Sequence, residues 1–159
     1  MASKILIASD HGGTRLKSTL LSYLGESGFE VVDLGPEENG ASVDYPDYAA
    51  KLANAMHEEE YVGILICGSG IGMSIAINRY DWIRAALVHD ETSTRLSREH
   101  NNANVIVLGE RLIGELTAIS CLQIFLDTEF AHGRHEKRVE KLEQSQILLT
   151  QQESLDAPR

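Results

Sequence analysis

The segment Gly63-Ile64-Leu65-Ile66-Cys67-Gly68-Ser69-Gly70-Ile71-Gly72 places a thiol where an apolar run of strand length breaks into alternating glycines. Glycines spaced in this way bare backbone N–H groups, and a helix that follows directs its positive end at the same place. In an α/β protein such a junction is the carboxyl end of a strand, outside which ligands bind. A thiol beside an anion cradle suits chemistry in which negative charge develops near sulfur. Cys67 is either a small core residue or a thiolate base; helix N-termini and backbone N–H groups stabilise thiolates, which favours the second reading. Cys121, inside the apolar helical run 119–126, reads as core.

Other residues offer partners for that chemistry. Asp10-His11, followed by Gly12-Gly13, is either a ligand loop or a helix cap made by Asp10. His100, in Arg98-Glu99-His100-Asn101, either complements the negative end of its helix or takes part in a site. Arg134 and Arg138, spaced i and i+4, are expected on one face at the start of the last helix, where cations oppose the helix dipole unless an anion lies nearby. With Arg111, just past a strand, they make a local arginine cluster able to hold a phosphate.

Several alternatives fail on detail. A dinucleotide fingerprint would need glycine where Met73 stands, and a thiol phosphatase would need arginine there. No lysine completes a nucleotide phosphate loop. His57-Glu58 lacks the second histidine of a zinc-protease helix, and His132 and His135 have no convincing ligand partners, so no metal site is expected.

The elements that must position these residues alternate. Apolar runs predict strands over 4–9, 30–34, 62–67, 83–88 and 105–108; amphipathic patterns predict helices over 14–27, 46–59, 72–78, 91–100 and 113–127. The expected fold is a three-layer α/β/α sandwich with a five-stranded parallel, Rossmann-like sheet and a C-terminal helical arm. After Gly133 the helix is polar, with Val139, Leu142 and 147–149 as its apolar anchors. So narrow an apolar face is expected to pack on another subunit rather than tightly on its own domain. One domain over 1–150, arm included, and a disordered tail over 151–159 complete the expected organisation.

Composition sets the outer limits. The chain has 159 residues, 43% hydrophobic and 24% charged, as in a globular protein of one domain. A formal net charge of −10 argues against nucleic acid and anionic membranes as partners, though not against a small anion met by clustered arginines. No run is long enough to span a bilayer and no signal peptide is evident. The two cysteines are too few for a disulfide framework, so a cytoplasmic location is expected.

Six motifs occur in order: Ser9-Asp10-His11-x-Gly13-x-x-Leu16-Lys17, Asp44-Tyr45-Pro46, Cys67-Gly68-Ser69-Gly70-x-Gly72-Met73-Ser74-Ile75-Ala76-x-Asn78, Leu96-Ser97-Arg98-x-His100-Asn101, Asn104-Val105-x-x-Leu108-Gly109-x-Arg111 and Gly133-Arg134-His135-x-x-Arg138. Together they resemble the type B ribose-5-phosphate isomerase family, which includes allose-6-phosphate isomerases and galactose-6-phosphate isomerase subunits. The resemblance spans about residues 3–142. It implies reversible conversion of ribose 5-phosphate to ribulose 5-phosphate without metal or organic cofactor, in homodimers or dimers of dimers whose active sites are shared between chains. Cys67 would move a proton between C1 and C2, and the backbone of Gly68, Ser69, Gly70, Ile71 and Gly72 would hold the enediolate. His100 of the neighbouring chain would open the furanose ring, with Ser69 close to the same oxygen. Asp10 and Asn101 would bind hydroxyls, Tyr45 would border the site, and His11, Arg111, Arg134 and Arg138 would grip the phosphate.

Two departures matter. Many members carry threonine where Ser69 stands, which keeps the hydroxyl but restrains its rotamer more. A second branch uses glutamate in place of Met73 and lacks the cysteine, so this chain is expected to follow the thiol mechanism. Isomerisation of a six-carbon sugar phosphate and silent sugar-phosphate binding are the remaining alternatives.

Overall fold

Strand residues that alternate in direction supply two apolar faces, and each face is roofed by helices. In a computed structural model, which describes residues 4–37, 40–57 and 60–143, the elements run β1 (Ile5–Ser9), α1 (Thr14–Glu26), β2 (Val31–Asp33), α2 (Tyr45–Ala55), β3 (Val62–Cys67), α3 (Ile71–Ile77), β4 (Ala85–Leu87), α4 (Glu91–Asn101), β5 (Val105–Gly109), α5 (Glu115–Asp127), a 3-10 turn (Gly133–His135) and α6 (Glu136–Glu143). The sheet is parallel throughout, in the order β2-β1-β3-β5-β4. The five-stranded α/β/α architecture expected from the sequence is therefore present.

Ile5, Ile7, Ile64, Ile66, Ile106 and Leu108 bury one face against Leu16, Leu20 and Leu24 of α1 and Cys121, Leu122 and Phe125 of α5. Leu6, Ala8, Leu65, Val105 and Val107 bury the other against Leu52 and Ala53 of α2 and Met73 and Ile77 of α3. Glycine at 63 is a packing requirement: a Cβ there would lie 2.9 Å from side-chain atoms of Leu52, Met56 and Val105. Helix α1 stops as expected, with Gly28 at φ 81° just beyond its C-cap Ser27.

Some boundaries differ from the sequence reading. Strand β4 is shorter than 83–88 because the Asn104 side chain takes over at its entrance, accepting from Arg84 N–H at 2.8 Å and donating to the Trp82 carbonyl at 2.9 Å. Helix α2 ends at Ala55 rather than at 59. The last α-helix begins at Glu136, not Gly133: His132 (φ 56°) and Gly133 (φ 60°) turn the chain sharply, and a 3-10 turn intervenes. Arg134 lies in that turn and Arg138 in α6, so the two do not share one regular helical face. The expected apolar anchor at 147–149 and the tail at 151–159 lie outside the described residues.

The arm also touches its own domain more than its polar sequence suggests. His135 and Val139 are buried, His135 stacks on His100 of α4, and Ala131 N–H donates to the Glu99 carbonyl at 3.0 Å.

Candidate active site

Parallel strands send their exit loops to one edge of the sheet, and here the exits of β1, β3 and β5 meet. They enclose a pocket of about 320 Å³ whose walls include Asp10, His11, Tyr45, Cys67, Ser69 and Arg111, with Gly68 and Gly72. Because β2 and β3 lie on opposite sides of β1, the crevice falls beside the topological switch point, the usual ligand position in open α/β sheets.

Cys67 is the last residue of β3 and is 5% exposed; its Sγ accepts the Gly70 N–H at 3.0 Å. That geometry requires the chain to double back over the sulfur, which Gly70 permits at φ 76° as the N-cap of α3. Ile71 N–H donates to Ser69 Oγ at 3.3 Å. Asp10 does not cap α1: its Oδ1 accepts Gly12 N–H at 2.8 Å, rigidifying the β1 exit, and the buried carboxyl borders the pocket. Nδ1 of His11 lies 3.1 Å from the Val43 carbonyl and 3.2 Å from the Val43 amide nitrogen, tying the exposed imidazole to the loop that precedes Tyr45. The Tyr45 ring closes over Gly72, where a Cβ would come within 2.7 Å of it. The Arg111 guanidinium lies along Gly68, 3.2–3.4 Å from where a Cβ would stand.

Backbone bonds hold the wall in place. Glu110 N–H donates to the Cys67 carbonyl at 2.9 Å and Arg111 N–H to the Gly68 carbonyl at 3.0 Å. Gly109 leaves no room for a side chain, since a Cβ would be 2.5 Å from Ser69 backbone atoms; Gly13 presses likewise on Ile66, at 2.7–2.9 Å. Glu110 is a contributor that the sequence reading missed. Its Oε2 accepts Leu16 N–H at 2.9 Å and its Oε1 lies 3.5 Å from Arg15 Nε, so a carboxylate from the β5 exit caps α1 in place of Asp10.

Other expected site residues lie elsewhere. His100 and Asn101 end α4, and the chain then enters β5, so they sit at the amino edge of the sheet. Cys67 pairs with Gly109, at the far end of β5. The strand's length, on the order of 15 Å at about 3.3 Å per residue, separates the two positions. Arg134 and Arg138, both exposed, accompany His100 through the arm. One chain thus forms two clusters: a pocket with the thiol, Asp10, His11, Tyr45 and Arg111, and a group of His100, Arg134 and Arg138 beside Asn101. Gly70 is buried and Ile71 is exposed to solvent, and neither lines the pocket.

Among the described residues no group of three or more His, Cys, Asp or Glu could hold a metal ion, and no helix is long and apolar enough to cross a membrane.

Comparison with known proteins identifies the family and agrees with the fold. The ribose/galactose isomerase family matches residues 5–142. A ribose 5-phosphate isomerase from Thermotoga maritima is 48% identical, with a TM-score of 0.87 over 91% of this chain and 99% of that one. Ribose-5-phosphate isomerase B of Mycoplasma genitalium, solved with bound ribulose-5-phosphate, is 39% identical, with a TM-score of 0.87 over 92% of this chain and 98% of that one. A Bacillus subtilis protein with the provisional name of sugar phosphate isomerase is 45% identical over 140 residues, 87% of this chain and 94% of that one. The chain belongs to the ribose/galactose isomerase family, whose members named above are sugar-phosphate isomerases.

Proposed function

We propose that this sugar-phosphate aldose–ketose isomerase interconverts D-ribose 5-phosphate and D-ribulose 5-phosphate through a cis-enediolate, with Cys67 as the base. The observation that carries the reading is the sulfur at the end of β3, accepting an amide N–H and bordering one pocket with Asp10, Ser69 and Arg111. A thiolate accepts such a bond more strongly than a thiol does. Deprotonated, Cys67 takes the C2 proton of the open-chain aldose. The C2–H electrons form the C1–C2 double bond, and charge collects on the former carbonyl oxygen. Ser69 and the cradle amides hold that charge while the O2 proton passes to O1. The same sulfur then returns its proton to C1 as the C2 carbonyl forms.

His11 and Arg111 hold the phosphate from the pocket side. The reading assigns His100, for ring opening, and Asn101, Arg134 and Arg138, for hydroxyl and phosphate contacts, to a second copy of the chain. Their place at the opposite sheet edge supports a shared site, because they cannot reach the thiol of their own chain. The working unit is accordingly a homodimer or a dimer of dimers, acting in the cytoplasm in non-oxidative pentose phosphate metabolism without metal or organic cofactor.

A coupled assay of ribulose 5-phosphate formation tests the reading, run beside allose 6-phosphate and galactose 6-phosphate. The expected order places ribose 5-phosphate first by kcat/KM. Preference for a six-carbon substrate would replace the assigned sugar, and inactivity on all three would leave only a binding protein.

A further inference from the structure

His135 is the buried imidazole that the mechanism above does not use. It lies in the 3-10 turn before α6, and its ring stacks on that of His100 with centroids 4.3 Å apart and planes within 9°. His100 alone, half-buried on the last turn of α4, could rotate about its side-chain bonds. A parallel ring against its face removes that freedom. His135 is fixed in turn: its backbone N–H donates to the His132 carbonyl at 3.2 Å, and Arg134 Nε lies 3.4 Å from its ring Nε2.

We propose that His135 is a positioning residue whose imidazole, packed flat on His100, sets the orientation in which His100 opens the sugar ring. This rests on the reading of His100 given above. The surroundings keep His135 in the neutral form that stacks without repulsion: burial disfavours its charge first, then the neighbouring His100, Arg134 and Arg138, with Glu99 acting weakly in the opposite sense. The same turn carries Arg134 and leads into Arg138, so ring opening and phosphate holding are set by one joint.

The direction of reaction separates positioning from plain structural support. Ribose 5-phosphate arrives largely as a closed furanose. Ribulose 5-phosphate has its C5 oxygen esterified and cannot close a five-membered ring, so it needs no ring opening. Initial rates are measured in both directions for the full chain, for His135→Ala and His135→Phe, and for His100→Asn as reference. His135→Ala is expected to slow turnover from ribose 5-phosphate about tenfold while changing turnover from ribulose 5-phosphate less than about twofold. His135→Phe, which keeps a flat ring but no titratable nitrogen, is expected to recover most of the loss.

Equal losses in both directions, no loss, or a His135→Phe variant as slow as His135→Ala would each overturn the assignment. If His100→Asn itself slows both directions alike, the ring-opening role of His100 fails and the inference falls with it. If His100→Asn is selective and His135→Ala is not, only the stack assignment fails.

Discussion

At the carboxyl edge of the sheet, Cys67, Asp10 and Arg111 surround a pocket walled by main chain; at the amino edge, His100, Arg134 and Arg138 gather on a helix end and an arm. The first cluster is held by backbone bonds between neighbouring exits, such as Glu110 N–H to the Cys67 carbonyl. The second is held by the stacked imidazoles together with a main-chain bond from Ala131 to Glu99. The contrast teaches how one small domain divides its work. On the proposed reading, groups that meet developing charge rest on the rigid strand ends, and groups that steer a flexible sugar rest on an arm that would lie against a second copy.

The largest expected effect is at the thiol. Cys67→Ala should lower kcat by about 10³-fold, within the range for losing a general base, while calorimetry still detects substrate binding. Retention of most turnover would show that the carboxyl edge does not supply the base. Mixing comes next. Chains carrying Cys67→Ala and chains carrying His100→Asn, refolded together, should recover about a quarter of the parent rate from ribose 5-phosphate, because a random dimer population then contains intact shared sites. No recovery would confine each site to one chain and break the comparison.

Arg138→Ala should raise KM about 10–100-fold with little change in kcat, as expected for a charged contact made equally in ground and transition states. An unchanged KM would remove Arg138 from phosphate binding. Smaller still is the effect expected at the other thiol. Cys121 is fully buried, and burial pushes its thiol up from the ordinary value, with a hydrogen bond to Thr94 as a lesser opposing influence. Cys121→Ala should cost roughly 1–2 kcal/mol in a urea titration and leave turnover unchanged.

The smallest effect is a slope. Burial holds His135 below its ordinary imidazole value of 6.5, so the unfolded chain binds a proton more readily. The stability contributed by neutral His135 is present above pH 6.5 and is lost as pH falls through the lower folded value. Tm should therefore decline on acidification, and His135→Phe should decline less steeply over the same range.

Much of this was legible in the sequence because its signals are local. Continuous apolar runs mark strands buried on both faces, and Gly28 marks the end of α1. Alternation of strands and helices then places Asp10, Cys67 and Arg111 at one edge without further information. What escaped depends on distant partners. Glu110 caps a helix 94 residues away, which no local pattern reveals. Lys17, buried in α1, donates to Asp33 Oδ1 at 2.8 Å and to the Pro36 carbonyl at 2.7 Å, anchoring the loop toward Tyr45 by contacts assembled only on folding. The start of α6 differs because His132 adopts a positive φ of 56°, a conformation that favours glycine, and nothing in its residue type announces it.

Gly13 and Gly109 are absent from the pocket lining, yet a single added methyl would collide at Gly13 with Ile66 of β3 and at Gly109 with the Ser69 main chain of the β3 exit loop. In a saturation mutagenesis screen both should emerge as intolerant, and a reader of such a map would be tempted to give them roles in the reaction. Their sensitivity is geometric: they are the spacers that let the loops nest. The tolerance of this enzyme to change is therefore decided partly at positions no ligand touches.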